Sequence, residues 1–173
     1  MTTPRTLTDA DRRHIALAVH EAAHAVVGVL HGAQLDSATV ADNHSDGACR
    51  FTAAGFGTTP THYRAHIAAA GAVAAAIFHH GRQARLHHIE RFLSPGDREE
   101  LRLAAITDRA PFTEPLLAVK PTILRCWDAI TDLSATLIAD GQIRHRDVCT
   151  ALGLTDDGGP GSAQLAGIRA GLR

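Results

Sequence analysis

The sequence predicts a mainly α, multihelical single domain that carries one small β-hairpin. Three observations predict it. Apolar residues recur at helical spacing through long alanine-rich stretches, which favour closely packed helices. Two short strand-like runs flank a polar Asp/Asn/Ser/Gly segment, the pattern of a hairpin. The chain has 173 residues, 45% hydrophobic and 20% charged, enough for one domain with a sizeable core.

The elements follow in order. Residues 1–8 read as a loose, flexible tail. Thr8 with Asp11 three residues on is a capping signal, so the first helix starts there and runs to about His31, with Gly32 as its stop. Ile15, Val19, Ala22, Ala23, Val26, Val27 and Leu30 cover more than one face of it, which predicts burial. Leu35–Val40 and Cys49–Ala54 are the hairpin strands, around a turn at 41–47. Residues 55–60 form a loop, and Thr59 and Pro60 suit the Ncap and N1 of a second, alanine-rich helix that ends near His80, with Gly81 as its stop. Residues 82–93 read as an irregular connection. Ser94-Pro95-Gly96-Asp97 opens a third helix through about Thr107. After a loop bracketed by Pro111 and Pro115, one long helix is expected over 116–139, kinked at Pro121. A turn at Asp140-Gly141 precedes a short last helix from Arg144 to Leu152. The domain thus spans 9–154, and residues 155–173 read as a flexible or weakly docked tail.

Several function classes lack support. Lys and Arg total 17 against 18 Asp and Glu, and no basic stripe appears, so nucleic-acid binding is not expected. No run of 18 apolar residues exists, so no membrane span is expected. Cys49, Cys126 and Cys149 are scattered, with no C-x-x-C, and the N-terminus shows no apolar leader core. Both features predict reduced thiols in a cytoplasmic protein.

The chemistry concentrates in Ala18-Val-His-Glu-Ala-Ala-His-Ala-Val-Val27, an H-E-x-x-H motif inside the first helix. One turn is about 3.6 residues, so His20 and His24 share a face and can take two corners of a zinc tetrahedron. Glu21 sits beside them, where it can polarise a water on the metal as general base. With 12 His and 5 Glu in the chain, chance would produce the motif roughly 2 times in 100, so context matters. The context is a buried helix, where two His and a Glu need partners: a metal or ordinary neighbours.

A catalytic zinc needs a third protein ligand and one open position. His14, His31, His62, His66, His79, His80, His87, His88, Glu90 and Asp97 all compete. His62 and His66 are four apart but lack an intervening Glu and a buried setting, so they read as a solvated face. Neighbours on a helix point about 100° apart, so the pairs His79-His80 and His87-His88 make no chelate by themselves. Asp97 is at N3 behind Ser94, where it reads as the reciprocal half of a cap.

As a whole, the chain resembles the FtsH-type zinc peptidase domain over residues 12–153. Ala18–Val27 is similar to that family's H-E-A-G-H-A-x-V signature. Ala70-Gly71 and the helix ending Ile77-Phe78 resemble its A-G-R-x-A-E-E helix. Ser94–Leu101 resembles its T-G-A-S-N-D-L segment, whose aspartate is a zinc ligand. Leu133–Val148 is similar to its closing helices. The resemblance implies Zn²⁺ held by His20, His24 and Asp97, with Glu21 as the catalytic base.

Three departures stand out. Ala23 replaces a glycine. Ala75 and Ala76 replace the family's paired glutamates, which bears on activity more than on metal binding, because such outer carboxylates tune the metal. No G-x-x-x-x-G-K-[ST] is present, so no P-loop accompanies the site. The expected function is zinc-dependent cleavage of unfolded or flexible polypeptides without an ATPase of its own. The alternative is a weak or inactive metal-binding interaction module of the same fold. A polypeptide substrate, a homo-oligomer and a separate ATPase are the partners the resemblance raises.

Overall fold

The computed structural model describes residues 7–41, 46–53, 59 and 61–172. The expected tail over 1–6, the centre of the expected hairpin turn, Ala54 and most of the 55–60 loop with Pro60 lie outside them.

Helix α1 spans Asp9–Leu30. Its start is the expected capping box: Thr8 N donates to Asp11 Oδ2 at 2.8 Å, and Asp11 N donates to Thr8 Oγ1 at 3.1 Å. Its end comes at Gly32, whose φ of +84° suits a residue without a Cβ. From Ala18 to Leu30 every residue is buried, so α1 is the central helix. Helix α2, Thr61–His80, packs on it most extensively. Ala69, Ala70, Ala72, Val73 and Ala74 on α2 meet Ala18, Ala22, Ala23 and Ala25 on α1 as one buried cluster. Small side chains on both helices let the backbones approach closely, and this brings α2 against the imidazoles of α1.

The expected hairpin is part of a larger sheet. Strands β1 (Leu35–Val40) and β2 (Gly47–Phe51) pair antiparallel, with Ala38 opposite Cys49 and a register shift between Leu35 and Ser37. A third strand, β3 (Gln142–Ile143), pairs on the other side of β1, placing Ala38 opposite Ile143. The order is β2-β1-β3, so among the described residues β2 is an edge strand. Two residues carry no periodicity, so β3 could not be read from the sequence.

The remaining helices pack around this centre. The expected irregular stretch 82–93 contains a helical turn, α3 (Leu86–Ile89), followed by a 3-10 turn, Glu90–Phe92. Ile89 is 1% exposed and anchors that turn in the core. Helix α4, Pro95–Asp108, starts where Ser94 and Pro95 predict. The single long helix expected over 116–139 is instead three: α5 (Glu114–Ala118), α6 (Lys120–Arg125) and α7 (Trp127–Asp140). Pro115 and Pro121 both occupy first-turn positions, where a missing N–H costs nothing, so they open helices rather than kink one. Leu116, Ile123, Ile130 and Leu137 are fully buried along this run, each stabilising by roughly 1.5–3 kcal/mol.

Helix α8 spans His145–Ala151. Beyond it lies a helix the sequence reading did not contain, α9 (Ala163–Arg169), with Leu165 and Ile168 buried. Arg125 Nη1 donates to Ile168 O at 2.8 Å, and Arg169 Nη1 donates to Leu30 O. His145 ties the same region to the sheet: Nδ1 accepts from Leu35 N at 3.3 Å and Nε2 donates to Asp157 O at 2.8 Å. Among the described residues no helix is long and apolar enough to cross a membrane.

Candidate metal centre

The two halves of the site arise from different local rules. On α1, helical spacing puts His20 and His24 on one face, their rings meeting edge to face with centroids 4.6 Å apart. Asp97 comes from the first turn of α4, where the Ser94 cap holds it. Ser94 Oγ donates to Asp97 Oδ2 at 2.7 Å, and Asp97 N donates to Ser94 Oγ at 3.1 Å. Tertiary packing then brings this turn against α1.

The resulting cluster is compact. His20 Nε2 lies 2.9 Å from His24 Nε2, 3.3 Å separate it from Asp97 Oδ2, and His24 Nε2 lies 3.4 Å from Asp97 Oδ1. Tetrahedral ligands held 2.0–2.1 Å from a zinc ion stand about 3.3–3.4 Å apart. Each carboxylate distance is close to that edge but runs to a different oxygen of Asp97, so the carboxylate must turn to present one oxygen to both imidazoles, and the histidine pair needs to open by a few tenths of an ångström. Two imidazole nitrogens and one carboxylate oxygen are also a donor set that suits zinc. Among the described residues, His20, His24 and Asp97 are the one group of three or more His, Cys, Asp or Glu whose donor atoms all lie within 4.8 Å, and this group could hold a metal ion. None of the other competing histidines, nor Glu90, belongs to it.

The surroundings orient these groups. His24 Nδ1 lies 2.6 Å from Ile67 O on α2. A carbonyl only accepts, so Nδ1 carries a proton and Nε2 is the ring nitrogen turned towards the cluster. Gly71 on α2 has no space for a side chain. A Cβ there would lie 2.5 Å from His20 Nε2 and 2.5 Å from His24 Nε2. Gly47, the first residue of β2, lies against the other flank, where a Cβ would come 2.7 Å from Glu21 Oε1. Glu21 is 6% exposed and stands beside the three-ligand group without belonging to it.

Burial and charge act on each group differently. Burial alone raises the Asp97 carboxyl, but hydrogen bonds and charge from His20 and His24 overturn this and hold it well below the carboxylate range. Burial likewise disfavours the His24 imidazolium, yet the Asp97 hydrogen bond, the Asp97 and Glu21 charges and the Ile67 carbonyl push it up to about 9. Glu21 is raised by burial and further by Asp97, against the opposing pull of His24 and His20. A buried carboxyl with a raised pKa is a suitable proton acceptor and donor.

Four contributors were not assigned to the site from the sequence: Gly47, Ile67, Gly71 and Cys49, the last lining the cleft beside the cluster. Gly71 did carry a signal. A glycine inside an otherwise alanine-rich helix costs about 1 kcal/mol and implies a close approach. Ala75, four residues on, is 2% exposed and borders a second cleft together with His20 and Glu21. Other described histidines stack away from the cluster. His31 stacks on Tyr63 with centroids 4.1 Å apart, and His80 stacks on His88 at 4.0 Å.

A scan against protein-family models finds no match to this chain, and a search of the curated proteins finds none either.

Proposed function

We propose that this chain is a zinc-dependent, FtsH-like metallopeptidase that hydrolyses peptide bonds in unfolded or flexible polypeptides. The observation that carries the reading is the convergence of His20, His24 and Asp97 from two separate helices, with the buried Glu21 carboxylate beside them. His20, His24 and Asp97 would hold the ion. Zinc, when bound, supplies a positive centre that acidifies water and polarises a carbonyl.

This chain's own groups would supply the rest. Glu21 takes a proton from the attacking water and returns it to the leaving amine nitrogen. Ile67 O keeps the His24 ring in its tautomer, and Ser94 keeps the Asp97 carboxylate turned towards α1. Among the described residues β2 is an outer strand of the sheet, and its outer side would offer main-chain groups to an extended peptide, the usual geometry of strand addition. These 173 residues contain no phosphate-binding loop, so the cleavage proposed for them is not itself coupled to ATP.

One observation favours a second reading, a metal-binding interaction module with little activity. Ala75 and Ala76 are buried apolar residues at positions where the resembling family has carboxylates, so α2 supports His24 with a main-chain carbonyl only. The two readings separate in one experiment. Zinc content is measured on wild type and Glu21→Gln, and both are assayed on casein. The peptidase reading expects stoichiometric zinc in both and a loss of about 10²–10⁴-fold in cleavage for Glu21→Gln. Equal cleavage by both, or zinc without cleavage in wild type, defeats it.

A further inference from the structure

A separate cavity lies at the C-terminal end of α1. His31, which closes that helix, is seven residues beyond His24, about 10 Å along the axis. The cavity, about 410 Å³, is bordered by the end of α1, the start of α2, α5, α6 and α9. That volume falls in the range of small-molecule sites. Its polar lining is His31, Tyr63, His66, Thr122 and Arg169, and among the described residues no carboxylate lines it. Leu30 and three alanines make up the apolar remainder. His31 stacks on Tyr63 with centroids 4.1 Å apart, and the His66 ring is tilted against His31 at 5.6 Å.

Charge and hydrogen bonding narrow what this lining can take. Arg169 is its cation. A guanidinium has five N–H groups, and the bond to Leu30 O uses one while tying the side chain to the end of α1. The imidazoles add no charge near neutral pH. Burial foremost, then the charges of His66, Arg169 and His62, hold His31 down to about 3. Burial lowers His66 as well, with Glu114 opposing and His62 adding to the effect. The lining therefore carries one positive charge, the complement of a singly charged anion. His31 Nδ1 is buried and has no hydrogen-bond partner among the described residues. Such an orphan is costly, and a neutral ring with its proton on Nδ1 can donate to a bound acceptor. Among the described residues, only His20, His24 and Asp97 group three donor atoms closely enough for a metal ion, so these imidazoles form no three-ligand metal centre.

We propose that this cavity binds a monocarboxylate with an apolar body, its carboxylate held by Arg169 with the Thr122 and Tyr63 hydroxyls and its apolar part against the alanines. The planar guanidinium fork matches a carboxylate, and hydroxyls donate to the same oxygens. Burial of the apolar body supplies the rest of the affinity. The proposal does not depend on the metal cluster or on the peptidase reading. Two sources present this chemistry, a free organic acid and the C-terminal carboxylate of a peptide.

The test is a titration of the full chain followed by NMR at the His31 and His66 rings, which separates this cavity from any carboxylate bound at the metal cluster. The probes are phenylacetate, its neutral isostere phenylacetamide, inorganic phosphate, and N-acetylphenylalanine as the free acid and as the amide. Wild type is expected to bind phenylacetate at least about tenfold tighter than phenylacetamide, because the amide lacks the charged pair. Arg169→Gln should abolish that preference. Arg169 also ties α9 to Leu30, so Thr122→Val, which keeps the shape and removes the hydroxyl, decides if Arg169→Gln fails to fold; it should weaken phenylacetate several-fold. Tighter binding of N-acetylphenylalanine than of phenylacetate assigns the site to peptide C-termini, and the reverse order assigns it to free acids; both uphold the carboxylate site. The proposal is overturned by equal binding of acid and amide, by no saturable shift at either ring, by phosphate binding tighter than phenylacetate, or by phenylacetate affinity unchanged in the folded variants.

Discussion

The Asp97 carboxylate serves Ser94 and the histidine pair at once. Its Oδ2 accepts from Ser94 Oγ at 2.7 Å and lies 3.3 Å from His20 Nε2. The helix cap and the candidate metal ligand are therefore one group, and the start of α4 aims it. A cap mutation should then act on the metal. Ser94→Ala is expected to cost about 1 kcal/mol of stability and to weaken zinc binding by about 10 to 100-fold, whereas Asp97→Asn should abolish stoichiometric zinc. Thermal melts and competitive chelator titrations check both. Wild-type zinc affinity in Ser94→Ala would show that the cap and the ligand are independent.

Gly71 supplies a steric test. Gly71→Ala places a Cβ 2.5 Å from both imidazole Nε2 atoms, so either the rings or α2 must move. Overpacking of this kind costs about 1–3 kcal/mol, and zinc binding should fall sharply. Gly96→Ala is the control, because its nearest neighbour would be Ser94 Oγ at an ordinary 3.8 Å. Equal zinc affinity in the two variants would contradict the close approach of α2.

Zinc uptake should release a proton. In the metal-free protein His24 is raised to about 9, first against the cost of burial and then by Asp97 and Glu21, so at pH 7.5 it is largely protonated. Zinc needs neutral imidazole. Calorimetric titration in buffers of different ionisation enthalpy should report about one proton released per zinc. Affinity should rise with pH up to about 9 and level off above it. No buffer dependence at pH 7.5 would refute the assignment.

Away from the metal, His31 predicts the acid limb of stability. Burial foremost, then the charges of His66, Arg169 and His62, lower its pKa to about 3 in the folded chain, against 6.5 ordinarily. The unfolded chain therefore binds the proton more readily. The contribution to stability is complete above pH 6.5, declines as pH falls below it and is lost through pH 3. Urea midpoints measured between pH 7 and pH 3.5 should fall. His31→Phe, which keeps an aromatic ring against Tyr63, should flatten that slope. An unchanged slope in the variant would assign the acid sensitivity to other groups.

By itself the sequence determined whatever is decided within a few residues. The Thr8–Asp11 and Ser94–Asp97 boxes, the stops at Gly32 and Gly81, and the shared face of His20 and His24 depend only on helical geometry and on capping groups within one turn. Local rules also explain the error at 116–139, since Pro121 is as compatible with opening a helix as with kinking one. Only the tertiary structure decided the rest. The pairing of β3 with β1, the docking of α9 through Leu165 and Ile168, the pressing of Gly71 onto two imidazoles and the meeting of Asp97 with His24 all join segments far apart in the chain. Such contacts depend on side-chain volume and on how closely alanine-faced helices can approach, and neither quantity has a period that a linear sequence displays.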